Sequence, residues 1–145
     1  MRVVHGDAVA LWAGEQLGVR FQEPFTAFGF TDDAGTIRGA AVFNDYYPGG
    51  NVEWTYVGPA SFSRHSLSFM ARFCFDELKA SRVTAKTKRS NVRVQKLLNK
   101  GGFSYETTQK RYFGPTKKDD AIVFFMTREG AKRWLGDSDE GTTGT

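Results

Sequence analysis

The chain has 145 residues, of which 40% are hydrophobic, and its 20 Lys or Arg and 16 Asp or Glu give a formal net charge of +4. This size and composition predict one globular domain, and the longest apolar run, residues 121–126, is too short to cross a bilayer. A single cysteine, Cys74, excludes an intramolecular disulfide, and the first residues resemble no secretory signal, so we expect a cytoplasmic protein without a membrane partner.

The first half of the chain predicts a strand, a helix and an antiparallel meander. Asp7 is a candidate helix cap, and Gly18 can end the helix in a left-handed conformation. Runs of β-forming residues bounded by turn-forming segments predict the strands. In chain order the predicted strands are Arg2–Val4, Phe25–Thr31, Ile37–Asn44 and Asn51–Val57, with the helix over AVALWAGEQL between the first two.

The second half predicts helices that alternate with strands. A helix capped by Ser61 or Ser63 runs to about Lys79. Asn91 is a candidate cap for a basic amphipathic helix, which a left-handed Gly101-Gly102 ends before a new strand begins at Phe103. The other predicted elements are the strands Arg82–Lys88, Phe103–Phe113 and Ala121–Thr127, and a helical turn over Glu129–Leu135.

Charge is distributed unevenly along the chain. Residues 1–60 contain three Arg and seven acidic residues, whereas residues 61–136 contain 17 Lys or Arg and six acidic residues. Such a basic face attracts polyanions, so a phosphorylated cofactor and a nucleic acid are both candidate partners, and a merely solvated face is the alternative. Residues 137–145, DSDEGTTGT, have no apolar side chain and predict a disordered tail outside a domain of residues 1–136.

The order of these elements and six local features resemble the GNAT superfamily of N-acetyltransferases over roughly Val3 to Leu135. The features are Phe75-Asp76-Glu77-Leu78, the strand Arg82–Lys88, Asn91, Gly102-Phe103, Asp120–Met126 and Trp134-Leu135. They are most similar to the branch with ribosomal-protein N-acetyltransferases and short phage-type members. The resemblance implies an α+β fold: a mixed, mostly antiparallel sheet of six or seven strands with a central splayed parallel pair, flanked by three or four helices.

The same resemblance implies an acetyl-CoA-dependent N-acetyltransferase, in which a primary amine of a small molecule, protein N-terminus or lysine attacks the thioester directly. Glu53 is the candidate base, and pairing with a Lys or Arg is the alternative role for its carboxylate. Its pKa is expected to be raised by the neighbouring Trp54 and Tyr56. Acetyl-CoA would contact Tyr56, Val57, Gly58, Ser61, Ser63, Arg64 and Asn91, with Lys88, Arg89 or Arg93 near its phosphates.

The sequence departs from the family pattern at two places. The basic or amide residue and the two small residues of the family's phosphate loop fall on Gly58, Ser61 and Ser63, and hydroxyl residues of its last major helix are replaced by Val94 and Leu98. Two other functions therefore stay open: a GNAT-fold protein that modifies nucleic-acid bases, and a non-catalytic binding module. The sequence also leaves open whether the protein forms a homodimer. The two histidines are isolated, so no metal site is expected.

Overall fold

A seven-stranded mixed sheet with the strand order β1-β2-β3-β4-β5-β7-β6 forms the centre of the protein. The computed structural model describes residues 2–21, 24–58 and 64–136. The strands are β1 (Arg2–His5), β2 (Phe25–Thr31), β3 (Ile37–Asn44), β4 (Asn51–Val57), β5 (Arg82–Lys88), β6 (Ser104–Gln109) and β7 (Ala121–Thr127). The helices are α1 (Asp7–Leu17), α2 (Arg64–Ala71), α3 (Val92–Lys100) and α4 (Lys132–Leu135), with a π-helical segment, Arg72–Glu77, that continues α2.

The predicted fold class is confirmed. Every neighbouring pair of strands is antiparallel except β4 and β5, which are parallel and lie at the centre of the strand order. Five strands, β2, β3, β4, β5 and β7, have the predicted bounds, because alternating side chains and turn residues define both their faces and their ends. No helix in the described ranges is long and apolar enough to span a bilayer.

Helices pack on both faces of the sheet. On one face, α2, the π-helical segment and α3 cover the larger core, whose largest buried side chains include Phe30, Met70, Phe75, Leu98 and Phe103. On the opposite face, α1 packs against β1 to β4 through a smaller cluster made of Val9, Ala10, Ala13, Ala27, Ala40 and Val42. Most of these side chains are small, so α1 lies close to the sheet.

The predicted strand Phe103–Phe113 is wrong beyond Gln109. The β6–β7 pairing has an irregularity between Tyr105 and Thr107, and the chain leaves the sheet after Gln109. Arg111 then takes a left-handed φ of 59°, and its backbone N–H donates to the Asp120 carboxylate at 2.8 Å. Asp120 directly precedes β7, and this contact turns the chain back before the predicted end of the strand. Alternation of side chains along the sequence does not reveal such a contact.

Three predicted helix boundaries also differ. Gly6 occupies the cap position of α1 without a side-chain hydrogen bond, and Asp7 is the first helical residue, where its carboxylate faces the positive end of the helix dipole. After α3, Gly101 is right-handed with a φ of −76°, and only Gly102, at 106°, has a positive φ. The last helix is shorter than the predicted Glu129–Leu135 and begins at Lys132.

Asp120 makes the protein's stability depend on acid pH. Its carboxylate is buried and accepts the Arg111 N–H and the guanidinium groups of Arg111 at 3.1 Å and Arg89 at 3.2 Å. The Arg111 N–H, followed by the two guanidinium groups, lowers the pKa of Asp120. A carboxylate with a lowered pKa stabilises the fold above its unfolded pKa of about 3.9 and loses that contribution as the pH falls.

We therefore expect the free energy of unfolding to fall as the pH is lowered below about 4, with a smaller fall in Asp120→Asn. Asparagine keeps the size of the side chain and an acceptor oxygen for Arg111 but carries no charge that acid can remove. Urea denaturation of both proteins at several values between pH 6 and pH 2.5 measures this difference. Equal pH slopes would contradict the assignment to Asp120.

Candidate active site between β4 and β5

The two central parallel strands separate along their length. Over the described residues, β4 pairs with β5 only at Asn51–Arg82, Val52–Val83 and Glu53–Thr84. Beyond these positions β4 stays paired with β3 as far as Val57, and β5 stays paired with β7 as far as Lys88. The backbone edges of residues 54–57 and 85–88 therefore diverge and form a wedge at the centre of the sheet. The central splayed pair that the resemblance implies is confirmed.

Side chains on the two faces of the wedge differ in character. Trp54 and Ala85 point into the larger core, where the Trp54 ring stacks on Phe103 with a centroid distance of 5.8 Å. Val57 packs against the smaller cluster on the opposite face, as the alternation of β4 predicts. Glu53 lies on the same face as Val57, opposite the larger core, because the two sequence positions differ by an even number and side chains alternate along a strand.

Glu53 lies at the closed end of the wedge, at the last position where β4 and β5 pair. Its Oε1 is 3.6 Å from Lys86 Nζ, and the two side chains are only 19% and 15% exposed. Burial raises the pKa of Glu53, and the charge of Asp45 raises it further, whereas Lys86 opposes both effects. The result is a partly shielded carboxylate with an increased proton affinity, as a general base near neutral pH requires.

The predicted direction of the Glu53 pKa is confirmed, but its predicted cause is wrong. Trp54 and Tyr56 are neighbours in sequence that lie on the other face of β4, so they do not surround the carboxylate. Burial and Asp45 raise the pKa instead. The alternative role of Glu53 as a partner of a lysine is also present, through Lys86.

The Lys86 ammonium group is held by a tyrosine as well as by Glu53. Its Nζ lies 4.4 Å from the centroid of the Tyr112 ring and donates to the Tyr112 hydroxyl at 3.3 Å. Sequence reasoning does not find this contact, because it predicts Tyr112 on the long strand Phe103–Phe113 and not on the segment that follows β6. The sequence contained one indication of the contact between Lys86 and Glu53. Alternation along β5 puts Lys86 on the same face as Thr84, and Thr84 is the residue that pairs with Glu53.

Polar contacts close the narrow end of the wedge. Thr84 Oγ1 donates to Asn51 Oδ1, joining β5 to β4 beside Glu53. Next to it, the Arg82 guanidinium donates to both carboxylate oxygens of Glu106, at 2.6 and 3.0 Å, and lies 5.0 Å from the centroid of the Phe125 ring. The contact between Thr84 and Asn51 joins the two strands at the end from which they diverge, whereas the Arg82–Glu106 pair links β5 to β6 across β7.

Gly58 follows directly after β4 and approaches β3 closely. It has a φ of 122°, and a Cβ atom there would lie 2.5 Å from the Arg38 carbonyl oxygen and 2.6 Å from Gly39 Cα. No side chain fits without moving this backbone, which explains why the basic or amide residue of the family pattern is absent. Position 58 can serve a ligand only through its backbone.

Tyr56 and Val57 lie on β4 just before Gly58, beyond the positions that pair with β5. Burial raises the pKa of Tyr56 to about 12, so its phenol is neutral at physiological pH. A Cβ atom at Gly39 would lie 2.5 Å from the Tyr56 hydroxyl, so glycine at that position leaves room for the phenol. The side chain of Tyr56 thus occupies a structural position facing the larger core.

The predicted phosphate loop is described only at its two ends. Gly58 precedes the loop at the end of β4. Arg64 follows the loop, begins α2 and has an exposed side chain. Ser61 and Ser63 lie outside the described residues. The predicted cap of α2 lies there as well.

The remaining predicted cofactor residues follow β5. Asn91 caps α3, as predicted, because its Oδ1 accepts the Val94 N–H at 3.3 Å. Lys88 lies 3.7 Å from Asp119, and the Arg89 guanidinium binds Asp120. Both basic side chains are still more than half exposed, and Arg93 on the first turn of α3 is exposed too. The structure therefore groups these residues near the open end of β5.

The described part of the chain supports neither metal-dependent nor cysteine-based chemistry. It contains no group of three or more His, Cys, Asp or Glu side chains arranged to hold a metal ion. Cys74 is buried in the larger core, and burial raises the pKa of its thiol, which makes a poor nucleophile. A surface cavity of about 980 Å³ lies along α1 and the residues after it, away from the wedge, and its lining includes Leu11, Val19 and Phe21.

Solved structures with the same fold are N-acetyltransferases. Mutant forms of the spermidine/spermine N-acetyltransferase SpeG from Vibrio cholerae match with a TM-score of 0.72 and 11% identity, covering 94% of this chain and 98% of that chain. A dodecameric structure of spermidine N-acetyltransferase from the same organism matches with a TM-score of 0.66 and 14% identity, covering 81% and 71%. No protein-family model and no curated protein matches the sequence. The structural matches show that the chain has the GNAT fold.

Proposed function

We propose that this protein is an acetyl-CoA-dependent N-acetyltransferase that transfers an acetyl group to a primary amine. The observation that carries the proposal is the end of β4–β5 pairing at Glu53 and Thr84, which opens the centre of the sheet beside a carboxylate with raised proton affinity. A linear amide-containing ligand fits such an opening, because unpaired strand edges present backbone N–H and C=O groups to it. The matched structures, which are spermidine N-acetyltransferases, support the same reaction class.

The free edge of β4 positions the reactants. Acetyl-CoA, when bound, supplies an acetyl group activated as a thioester. We assign backbone N–H groups among Tyr56, Val57 and Gly58 as the donors for negative charge that develops on the carbonyl oxygen, because donors fixed in a sheet need no reorganisation. The amide groups of the cofactor arm find further partners on the same edge, which holds the thioester near Glu53.

Glu53 acts as the base. A primary amine is mostly protonated at neutral pH and must lose a proton before it attacks. The raised pKa of Glu53 brings its proton affinity closer to the amine than that of an exposed carboxylate. A thiolate with a pKa of about 8.5 leaves without a side-chain acid, so Val94 and Leu98 in place of hydroxyl residues do not prevent turnover.

Basic and helix-forming residues around the open end provide the phosphate contacts in this proposal. Arg64 begins α2 with an exposed side chain, and Ser61 and Ser63 precede it in the sequence after β4. Across the wedge, Arg89 and Arg93, with Lys88 and Asn91, border the open end of β5. Guanidinium groups and helix N-termini both favour phosphate oxygens.

The resemblance to ribosomal-protein and short phage-type enzymes favours a cytoplasmic reaction on a protein or small-molecule amine. The acidic first half of the sequence is consistent with a cationic acceptor, and one matched structure is dodecameric, so an oligomer remains part of the proposal. The matched structures are acetyltransferases of amines, and they do not favour the alternative of nucleic-acid binding.

Thermal denaturation tests cofactor binding without knowledge of the acceptor. At about 100 times Kd, acetyl-CoA adds about 2.7 kcal/mol to the free energy of unfolding, which raises Tm by about 5–11 °C. ATP at the same concentration is the control, because it presents phosphates to the basic face but has no arm that can enter the wedge. Equal shifts with both ligands, or no shift with acetyl-CoA, would contradict the proposal. Thiol release with a panel of amines then identifies the acceptor class.

A further inference from the structure

The protein contains a primary amine beside the closed end of the wedge. Lys86 Nζ is 3.6 Å from Oε1 of Glu53, the proposed base. Lys86 is also the one lysine, among the nine in the chain, that is not exposed. The Tyr112 ring and hydroxyl hold its ammonium group from the other side. An acceptor amine would need the same surroundings: a carboxylate that accepts its proton and an aromatic ring that shields it from water.

The position of Lys86 along β5 brings it to the edge of the opening. It lies two residues beyond Thr84, where pairing with β4 ends, and therefore about 6.6 Å further along the strand. The intervening Ala85 points into the larger core, so Lys86 projects to the opposite face, which also carries Glu53. A thioester that reaches through the wedge to the base therefore also comes close to Lys86.

We propose that Lys86 is an acetylation site of the protein itself, modified from acetyl-CoA with Glu53 as the base. This inference rests on the proposed function, since it uses the same thioester and the same carboxylate. It requires no external acceptor. The modification places an acetyl group on the side chain that contacts both Glu53 and Tyr112.

The reaction balances without any further reagent. Glu53 takes a proton from the Lys86 ammonium group, and the nitrogen lone pair attacks the thioester carbonyl carbon. A carbon–nitrogen bond forms and the carbon–sulfur bond breaks, so that the electron pair leaves on sulfur. The nitrogen loses its second proton as the carbon–sulfur bond breaks, and this proton goes to the departing sulfur. The products are an amide at Lys86, the coenzyme A thiol, and the proton that Glu53 releases.

Acetylation would change the site, because it removes a positive charge from the surroundings of Glu53. The 3.6 Å ion pair and the cation–π contact with Tyr112 are both lost. Glu53 then keeps its burial and the charge of Asp45, both of which raise its pKa, without the lysine that opposes them. The modified protein therefore requires a higher pH to keep its base ionised.

Peptide mapping after incubation with isotope-labelled acetyl-CoA tests this inference. We expect labelled acetyl on Lys86 to form at least about tenfold faster than on Lys96, an exposed residue of α3. The reason is that Lys86, unlike Lys96, lies beside the proposed base Glu53. A non-enzymatic acetylating reagent is the control, and it should reverse this order, because Lys86 is only 15% exposed. Faster labelling of Lys96 with acetyl-CoA would overturn the inference.

Two variants separate this inference from the proposed function. Glu53→Gln should slow labelling of Lys86 at least about tenfold and leave labelling of Lys96 unchanged. Lys86→Arg keeps the positive charge but removes the primary amine, so its peptide stays unlabelled. If acetyl-CoA raises Tm and external amines are acetylated while Lys86 stays unlabelled, self-acetylation is wrong and the proposed function stands. If acetyl-CoA does not bind at all, both are wrong.

Discussion

Replacing Glu53 by glutamine lowers the rate of acetyl transfer at neutral pH by about 10²–10⁴-fold, the range expected for loss of a general base. Glutamine has nearly the same shape and still accepts a hydrogen bond from Lys86, but it cannot take a proton from the acceptor amine. Glu53 precedes residues 54–57, the part of β4 that diverges from β5, so the affinity for acetyl-CoA should hardly change. A fall in kcat with an unchanged acetyl-CoA Kd is therefore the expected result.

The pH profile separates loss of a base from loss of structure. In the wild type, transfer falls as the pH drops through the raised pKa of Glu53, because the protonated carboxyl accepts no proton. Glu53→Gln lacks this limb, and its residual rate follows only the ionisation of the amine. Thiol release, measured with the best amine from the panel between pH 5 and pH 9, gives both profiles.

Glu106→Gln is the matched control for this experiment. Glu106 is a carboxylate paired with Arg82, and it lies on β6, which β7 separates from the wedge. We expect its substitution to leave transfer within about threefold of the wild type, since an exposed ion pair contributes little. Equal turnover in Glu53→Gln and the wild type would remove Glu53 from the mechanism.

The fold was predictable because the sequence encodes it locally. Alternation defined β4 and β5 and placed Glu53 on the correct face, and the cap at Asn91 was visible as a polar residue before an apolar helix stripe. The parallel pairing of β4 with β5 came from the resemblance and not from the strands themselves. Strand patterns show which face is buried but not which neighbour each strand has.

The surroundings of Glu53 were not predictable, because they come from residues far apart in the chain. Asp45 follows β3, Lys86 lies on β5, and Tyr112 follows β6. The early end of β6 results from the contact between Arg111 and Asp120, and that turn belongs to the same segment as Tyr112. A strand continued to residue 113 gave no reason to place Tyr112 beside Lys86. The missed contact and the wrong strand end therefore have the same cause.

Gly58→Ala should lower the free energy of unfolding by about 2–5 kcal/mol. Two effects add: a φ of 122° strains any residue with a side chain, and the new Cβ atom meets the Arg38 carbonyl oxygen at 2.5 Å. The clash involves backbone on both sides, so no side-chain rotation relieves it. Urea denaturation measures the loss, and the retained fold is checked by circular dichroism.

Gly35→Ala provides the control, because it shares the positive φ but not the contact. Gly35 lies in the turn between β2 and β3 with a φ of 84°, and a Cβ atom there has nothing within 4 Å. We expect a loss of only about 1 kcal/mol at this position. The difference between the two variants isolates the close approach of Gly58 to β3, which fixes the end of β4 where the wedge is widest. If both variants lose the same stability, that approach does not constrain the strand, and the position of the free edge does not depend on glycine.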